Sequence, residues 1–175
     1  MHPNFQHAAL LVIDVQQEMF EKSTPVYHAE QLLANISSLV RAARQAGVPV
    51  IYIQHSAENY LVRGTPGWEF HPALRDLGPD VNIHKLHSNA FEDTELDATL
   101  KARGVNTLII TGMVTHGCVK NTALGGLAAG YRVVVISDAH SSYSQKAAQL
   151  IEEWNAKLQK QGALLLSTAE IRFGI

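Results

Sequence analysis

Short apolar runs alternate with amphipathic stretches along the whole chain, and this alternation limits the fold more than any other feature. The run Ala8–Ile13 (AALLVI) is continuous and apolar, as a strand buried on both faces must be. His28 to Ala46 then sets Leu32, Leu33, Ile36, Leu39, Val40 and Ala43 at helical spacing, and Gly47 supplies a stop. Val48–Gln54 reads as a second strand, with Pro49 tolerated near its start, and Val81–His84 as a third. Thr94 and Asp97 have the spacing of a capping box for a helix through Arg103, ended by Gly104. Asn106–Thr111 is the fourth expected strand, and small-residue-rich Gly117–Ala129 a helix held close to the sheet. Tyr131–Ser137 is the fifth strand, Ser144–Gln161 a helix, and Ala163–Leu166 a short sixth strand.

Strands separated by helices imply βαβ crossovers, so the expected class is α/β with a mostly parallel sheet and helices on both faces. At 175 residues the chain is expected to form a single domain over 1–175 that needs no disulfide or metal to fold. A hydrophobic fraction of 46% against 17% charged residues excludes a disordered chain. The net charge of -2 speaks against a nucleic-acid partner. No apolar run reaches membrane-spanning length, and the N-terminal stretch has no signal-peptide pattern. The expectation is a cytoplasmic protein with no membrane partner. The single cysteine, Cys118, excludes an intrachain disulfide and any multi-cysteine metal site.

In open parallel sheets, ligands bind beyond the carboxyl ends of the strands. Asp14 follows the first strand, Gln54 and His55 the second, and Lys85 the third. Cys118 follows the fourth across the turn GMVTHG, and Asp138 and His140 follow the fifth. A carboxylate, an ammonium and a thiol therefore converge on one edge. A free thiol has a pKa near 8.5, so only about 3% is thiolate at neutral pH. Placement of Cys118 at a helix start, with Lys85 nearby, is expected to favour the thiolate. Asp14 is suited to take the thiol proton and return it. Each residue alone has a plainer reading. Cys118 is a small buried hydrophobe, Asp14 a helix cap or Mg²⁺ ligand, and Lys85 a solvated lysine. Gly125–Gly126 fits close helix packing, and no GxGxxG or Walker pattern occurs.

Together the motifs carry a resemblance. ALLVIDVQQEMF resembles the opening strand of the isochorismatase-like cysteine hydrolases, whose D-x-Q aspartate is here Asp14. KLHSNAFEDTELDATLKARGVNTLIITGMVTHGCV resembles their central block, from the catalytic lysine (Lys85) through SNAF to G-x-x-T-x-x-C and the nucleophile (Cys118). GYRVVVISDAHSS resembles their fifth strand and D-A turn. The resemblance implies a Rossmann-like three-layer fold with six strands in the order 3-2-1-4-5-6. It implies a non-proline cis peptide at Met113–Val114, an oxyanion hole from the Val114 and Cys118 amides, and a homodimer or homotetramer.

Members of that family hydrolyse small amides and ureides, and others cleave the vinyl ether of isochorismate. Ether-cleaving members typically lack the cysteine, so Cys118 favours C–N hydrolysis through a thioester. Zinc-binding nicotinamidases carry an Asp and two His after strand two, where this chain has Gln54-His55-Ser56. The segment GTPGWEFHPAL resembles the loop of metal-free members, so no metal and no other cofactor is expected. The long stretch from His55 to Asp80 is expected to border the site. Phe20, Trp68 and His116 are candidate contacts for a small-molecule substrate. Ether hydrolysis and a non-enzymatic thiol sensor or binding module stay open as alternatives at this point.

Overall fold

In the computed structural model, residues 5–174 are described. Residues 1–4, the first part of the N-terminal stretch, and residue 175 lie outside them. Six strands form one sheet: β1 Ala8–Ile13, β2 Val50–His55, β3 Val81–Lys85, β4 Thr107–Met113, β5 Arg132–Ser141 and β6 Leu164–Leu166. Their order is β3-β2-β1-β4-β5-β6, and every neighbouring pair is parallel. The helices are α1 Ala29–Gln45, α2 Pro72–Arg75, α3 Leu96–Ala102, α4 Lys120–Ala128 and α5 Ala147–Lys160. The α/β class and the strand order both agree with expectation.

Strand parity divides the core into two layers. Leu10, Val12, Val50, Tyr52 and Ile109 face α1, where Leu32, Ile36, Leu39 and Val40 meet them. Their neighbours Leu11, Ile13, Ile51, Ile53 and Ile110 face the other way, toward Leu96, Leu100, Ala123 and Leu158 of α3, α4 and α5. Each fully buried aliphatic side chain of these layers contributes about 1.5–3 kcal/mol. Gly126 explains the close approach of α4: a Cβ there would sit 2.7 Å from Leu108. Gly112 has φ +118, and a Cβ would lie 2.1 Å from the Ile13 carbonyl oxygen. Only glycine lets the ends of β1 and β4 lie this close, and those ends carry the candidate site.

Several local expectations need correction. The capping box does not form: Glu95 occupies the N-cap of α3 without a side-chain cap. Thr94 Oγ1 instead accepts from Leu96 N and donates to the Ala90 carbonyl, while Asp97 binds Lys101 and Tyr131. β5 runs four residues beyond the expected Ser137, to Ser141, after a register irregularity opposite Ile110–Gly112. The helix expected from Gly117 begins only at Lys120. Before it, Thr115–Val119 forms a wide turn in which Gly117 departs from helical geometry (φ -126, ψ -111).

Candidate active site

The carboxyl ends of β1, β3 and β4 bring Asp14, Lys85 and Cys118 together. Asp14 directly follows β1 in the left-handed region (φ 51), which an aspartate tolerates better than most side chains. Lys85 ends β3 with its side chain fully buried. Its Nζ lies 3.1 Å from Asp14 Oδ2, 3.2 Å from Cys118 Sγ, 2.9 Å from His55 Nδ1 and 3.1 Å from the His87 carbonyl oxygen. An ammonium has three protons, and here they face four acceptors. The remaining oxygen of the carboxylate, Asp14 Oδ1, is buried without a hydrogen bond. Asp14, His55 and Cys118 offer donor atoms that all lie within 4.8 Å of one another.

Burial pushes the Cys118 thiol up to about 11, with the Asp14 charge adding to it, while Lys85 and Ser88 pull it down. This reverses the expected direction. Cys118 sits in the irregular turn ahead of α4, not in the first turn of a regular helix, and desolvation outweighs the local positive charge. Ser88, from the SNAF segment, donates to Sγ at 3.6 Å and is held by Asn121 at 2.8 Å.

His55 plays a part that the sequence did not suggest. An ammonium only donates, so His55 Nδ1 must present a lone pair and its proton sits on Nε2. Burial, then Lys85, hold its pKa down, which agrees with a neutral ring. Nε2 lies 3.3 Å from Tyr60 Oη, so the histidine donates to the tyrosine. Burial and then the Cys118 charge raise the pKa of both Tyr60 and Tyr143. Lys22 Nζ lies 5.6 Å from one ring and 5.9 Å from the other. Two tyrosine rings thus share one lysine, and Tyr60 reaches His55. They come from separate segments, and no motif marks them.

The Met113–Val114 peptide is cis, at the junction of β4 and the Cys118 turn. A family model described as the Isochorismatase domain matches residues 8–170. The chain belongs to the isochorismatase family. Streptothricin hydrolase of Streptomyces noursei is 35% identical over 147 residues, which are 83% of this chain and 53% of that protein. The chain thus spans a little over half the length of the first curated relatives it matches. Ureidoacrylate amidohydrolase of Stutzerimonas stutzeri is 28% identical over an alignment of 185 positions, which covers 84% of this chain and 75% of that protein. A putative isochorismatase from Burkholderia xenovorans LB400 superposes with a TM-score of 0.86 at 32% identity, covering 94% of this chain and 85% of its own. A cysteine hydrolase from Pseudomonas syringae pv. phaseolicola 1448A gives 0.87 at 27%, covering 97% and 92%.

In this member of the isochorismatase family, the three expected substrate contacts lie in different places. His116 is next to the Cys118 turn's glycine, half-buried, with Nδ1 buried and unbonded. Phe20 packs against His71, ring centroids 4.7 Å apart, and against the α1-side core. Trp68 stacks on His84 at 5.5 Å and donates from Nε1 to Ser56 at 2.8 Å. His84 and Lys85 are consecutive on β3 and point to opposite faces, so the indole packs on the face away from the Lys85 ammonium. The ring partners of Phe20 and Trp68 are thus His71 and His84.

The 55–80 stretch is not irregular throughout. It contains a 3-10 turn, Pro66–Trp68, and α2, and Gln16 pins it. The Gln16 amide nitrogen donates to the carbonyls of His55 and Trp68, and its oxygen accepts from His55 N.

Two outcomes are expected. Trp68→Ala should lower stability by about 2 kcal/mol while leaving the ranking of substrates unchanged, as thermal melts and competition assays would show. Alkylation of Cys118 by iodoacetamide should be slow at neutral pH and accelerate toward the thiol's raised pKa of about 11. Lys85 lowers that pKa, so Lys85→Ala should raise it and slow labelling further at any fixed pH below it. Equal rates in the two proteins across pH would contradict the electrostatic role of Lys85.

Proposed function

We propose that the chain is a metal-independent cysteine amidohydrolase that cleaves the C–N bond of a small amide or ureide through a thioester. The observation that carries this reading is one buried ammonium bonded to both the Asp14 carboxylate and the Cys118 sulfur. The relatives named as hydrolase and amidohydrolase support the bond type.

The chemistry follows from the proton inventory. At rest the thiol keeps its proton. As Sγ attacks the substrate carbonyl carbon, that proton passes to Asp14, whose Oδ1 has no other donor. The Val114 and Cys118 amides would hold the oxyanion. Asp14 then gives the proton to the departing nitrogen as the C–N bond breaks, leaving a thioester. Water loses a proton to Asp14 and attacks the thioester. The C–S bond breaks, the acid leaves, and Asp14 returns a proton to sulfur. Lys85 keeps Asp14 oriented and offsets the negative charge that alternates between carboxylate and sulfur. His116, Tyr60 and Tyr143 are the side chains proposed to border the substrate.

A metal would compete with Lys85. Asp14, His55 and Cys118 form a donor set of suitable size, but the ammonium lies within hydrogen-bonding distance of all three. A second cation in that space would meet strong repulsion. A redox-sensor reading is disfavoured by the raised thiol pKa, because sensor cysteines are low-pKa and accessible.

An ammonia-release screen over primary amides, ureides and hydroxamates tests the proposal. Turnover should survive exhaustive chelation and vanish in folded Cys118→Ala. Turnover that persists in Cys118→Ala would point to ether-type or other chemistry, and loss on chelation would reinstate a metal. Asp14→Asn and Lys85→Ala should each lower kcat by about 10³-fold or more, and the double variant should be little worse than either. Fully multiplicative losses would show that the two groups act independently.

A further inference from the structure

One buried histidine takes no part in the chemistry above. His140, near the end of β5, is 3% exposed, yet both of its ring nitrogens are bonded. Nδ1 lies 2.8 Å from Thr115 Oγ1, and Nε2 lies 2.7 Å from Asn155 Oδ1. Asn155, on α5, also donates its amide N–H to the Ser137 carbonyl at 3.3 Å, which turns its oxygen toward the ring. An amide oxygen only accepts, so Nε2 carries the proton and Nδ1 presents a lone pair. The Thr115 hydroxyl must then donate. Burial holds the imidazole neutral against the opposing pull of Asn155 and of Asp138 on the same strand. The direction of every bond in the chain is thereby fixed.

Thr115 is fully buried and opens the turn that carries Cys118, one residue after Val114. The hydroxyl therefore ties the first residue of that turn to β5, and through His140 to α5. Packing alone does not call for this arrangement. A hydrophobic side chain of similar volume would fill the same space without the desolvation cost of three polar groups. What the polar chain adds is direction.

We infer that His140 is a positioning residue: the Asn155–His140–Thr115 chain sets the orientation of the turn, and with it the Val114 and Cys118 amides that face the reacting carbonyl. The inference rests on the cysteine-hydrolase reading. A cavity of about 400 Å³ between α1 and α5 reaches the far side of the same chain, with His140, Asn155, Tyr27 and Ile151 in its wall. Removal of the imidazole would leave a ring-sized space open to that cavity.

The test begins with Thr115→Val, which deletes the hydroxyl and keeps the shape. Its kcat should fall about 10- to 100-fold, since misplacement by an ångström costs about that much. Its KM should stay within about twofold of wild type. Alkylation of Cys118 by iodoacetamide, which needs no oxyanion donor, should be unchanged, and Thr115→Ser should recover most of the lost kcat. His140→Ala should lose kcat likewise and regain it with added imidazole, whereas imidazole should do nothing for Thr115→Val. If His140→Ala fails to fold, Thr115→Val decides alone. Wild-type kcat in Thr115→Val, alongside an inactive Cys118→Ala, would overturn the positioning role and leave the cysteine mechanism standing. Turnover in Cys118→Ala would overturn the mechanism and this inference with it.

Discussion

The buried ammonium of Lys85 is the interaction on which the site depends. Moving a charged group out of water costs several kcal/mol even after relaxation, and a fully buried lysine persists only where acceptors surround it. Here they come from four places: the end of β1, the end of β2, the His87 backbone and the turn after β4. None of these can move alone without stranding a charge. The parallel sheet makes the arrangement affordable, because neighbouring strands end at one edge and deliver their last side chains to a common point. Gly112 adds a local condition, since the ends of β1 and β4 could not approach as they do around a Cβ.

Much of the fold was legible because fully buried parallel strands leave an unmistakable mark. AALLVI and NTLIIT have no polar face to confuse with a helix. The misreadings fell where backbone geometry departs from regular periods. Nothing in SDAHSS distinguishes a strand that continues past an irregularity from one that stops, and nothing in THGC announces a wide turn before α4. Thr94 and Asp97 had capping-box spacing, but Ala90, Lys101 and Tyr131 offered them other partners that only the tertiary fold creates.

The site was legible in its chemistry and less so in its surroundings. Asp14, Lys85 and Cys118 follow strands, so topology alone brings them to one edge. His55 also follows a strand, but judged by zinc-site spacing it looked like an incomplete ligand set. In place it is a neutral acceptor for Lys85 and a donor to Tyr60. Tyr60 meets His55 from the loop path, a pairing that no local pattern encodes. Trp68, a large aromatic on the loop beside the site, stacks on His84, one step of strand parity from Lys85.

The thiol's electrostatics had the opposite sign to expectation, and the sign matters for how such a site would work. A cysteine made thiolate by its surroundings is reactive all the time, toward oxidants and alkylating agents as well as substrate. A thiol held near 11 is not. It becomes nucleophilic only when its proton has somewhere to go at the moment a carbon–sulfur bond forms. In the proposed mechanism the unbonded Oδ1 of Asp14 is that destination, while Lys85 holds Oδ2. Lys85 is also bonded to sulfur, so in that mechanism it would face whichever partner carries the negative charge, the carboxylate before attack or the sulfur when it leaves the thioester. The same ammonium therefore meets both charge states without moving. Burial, which raises the thiol pKa, is then no defect of the site. In the proposed mechanism it keeps the nucleophile quiet until a substrate carbonyl is in place.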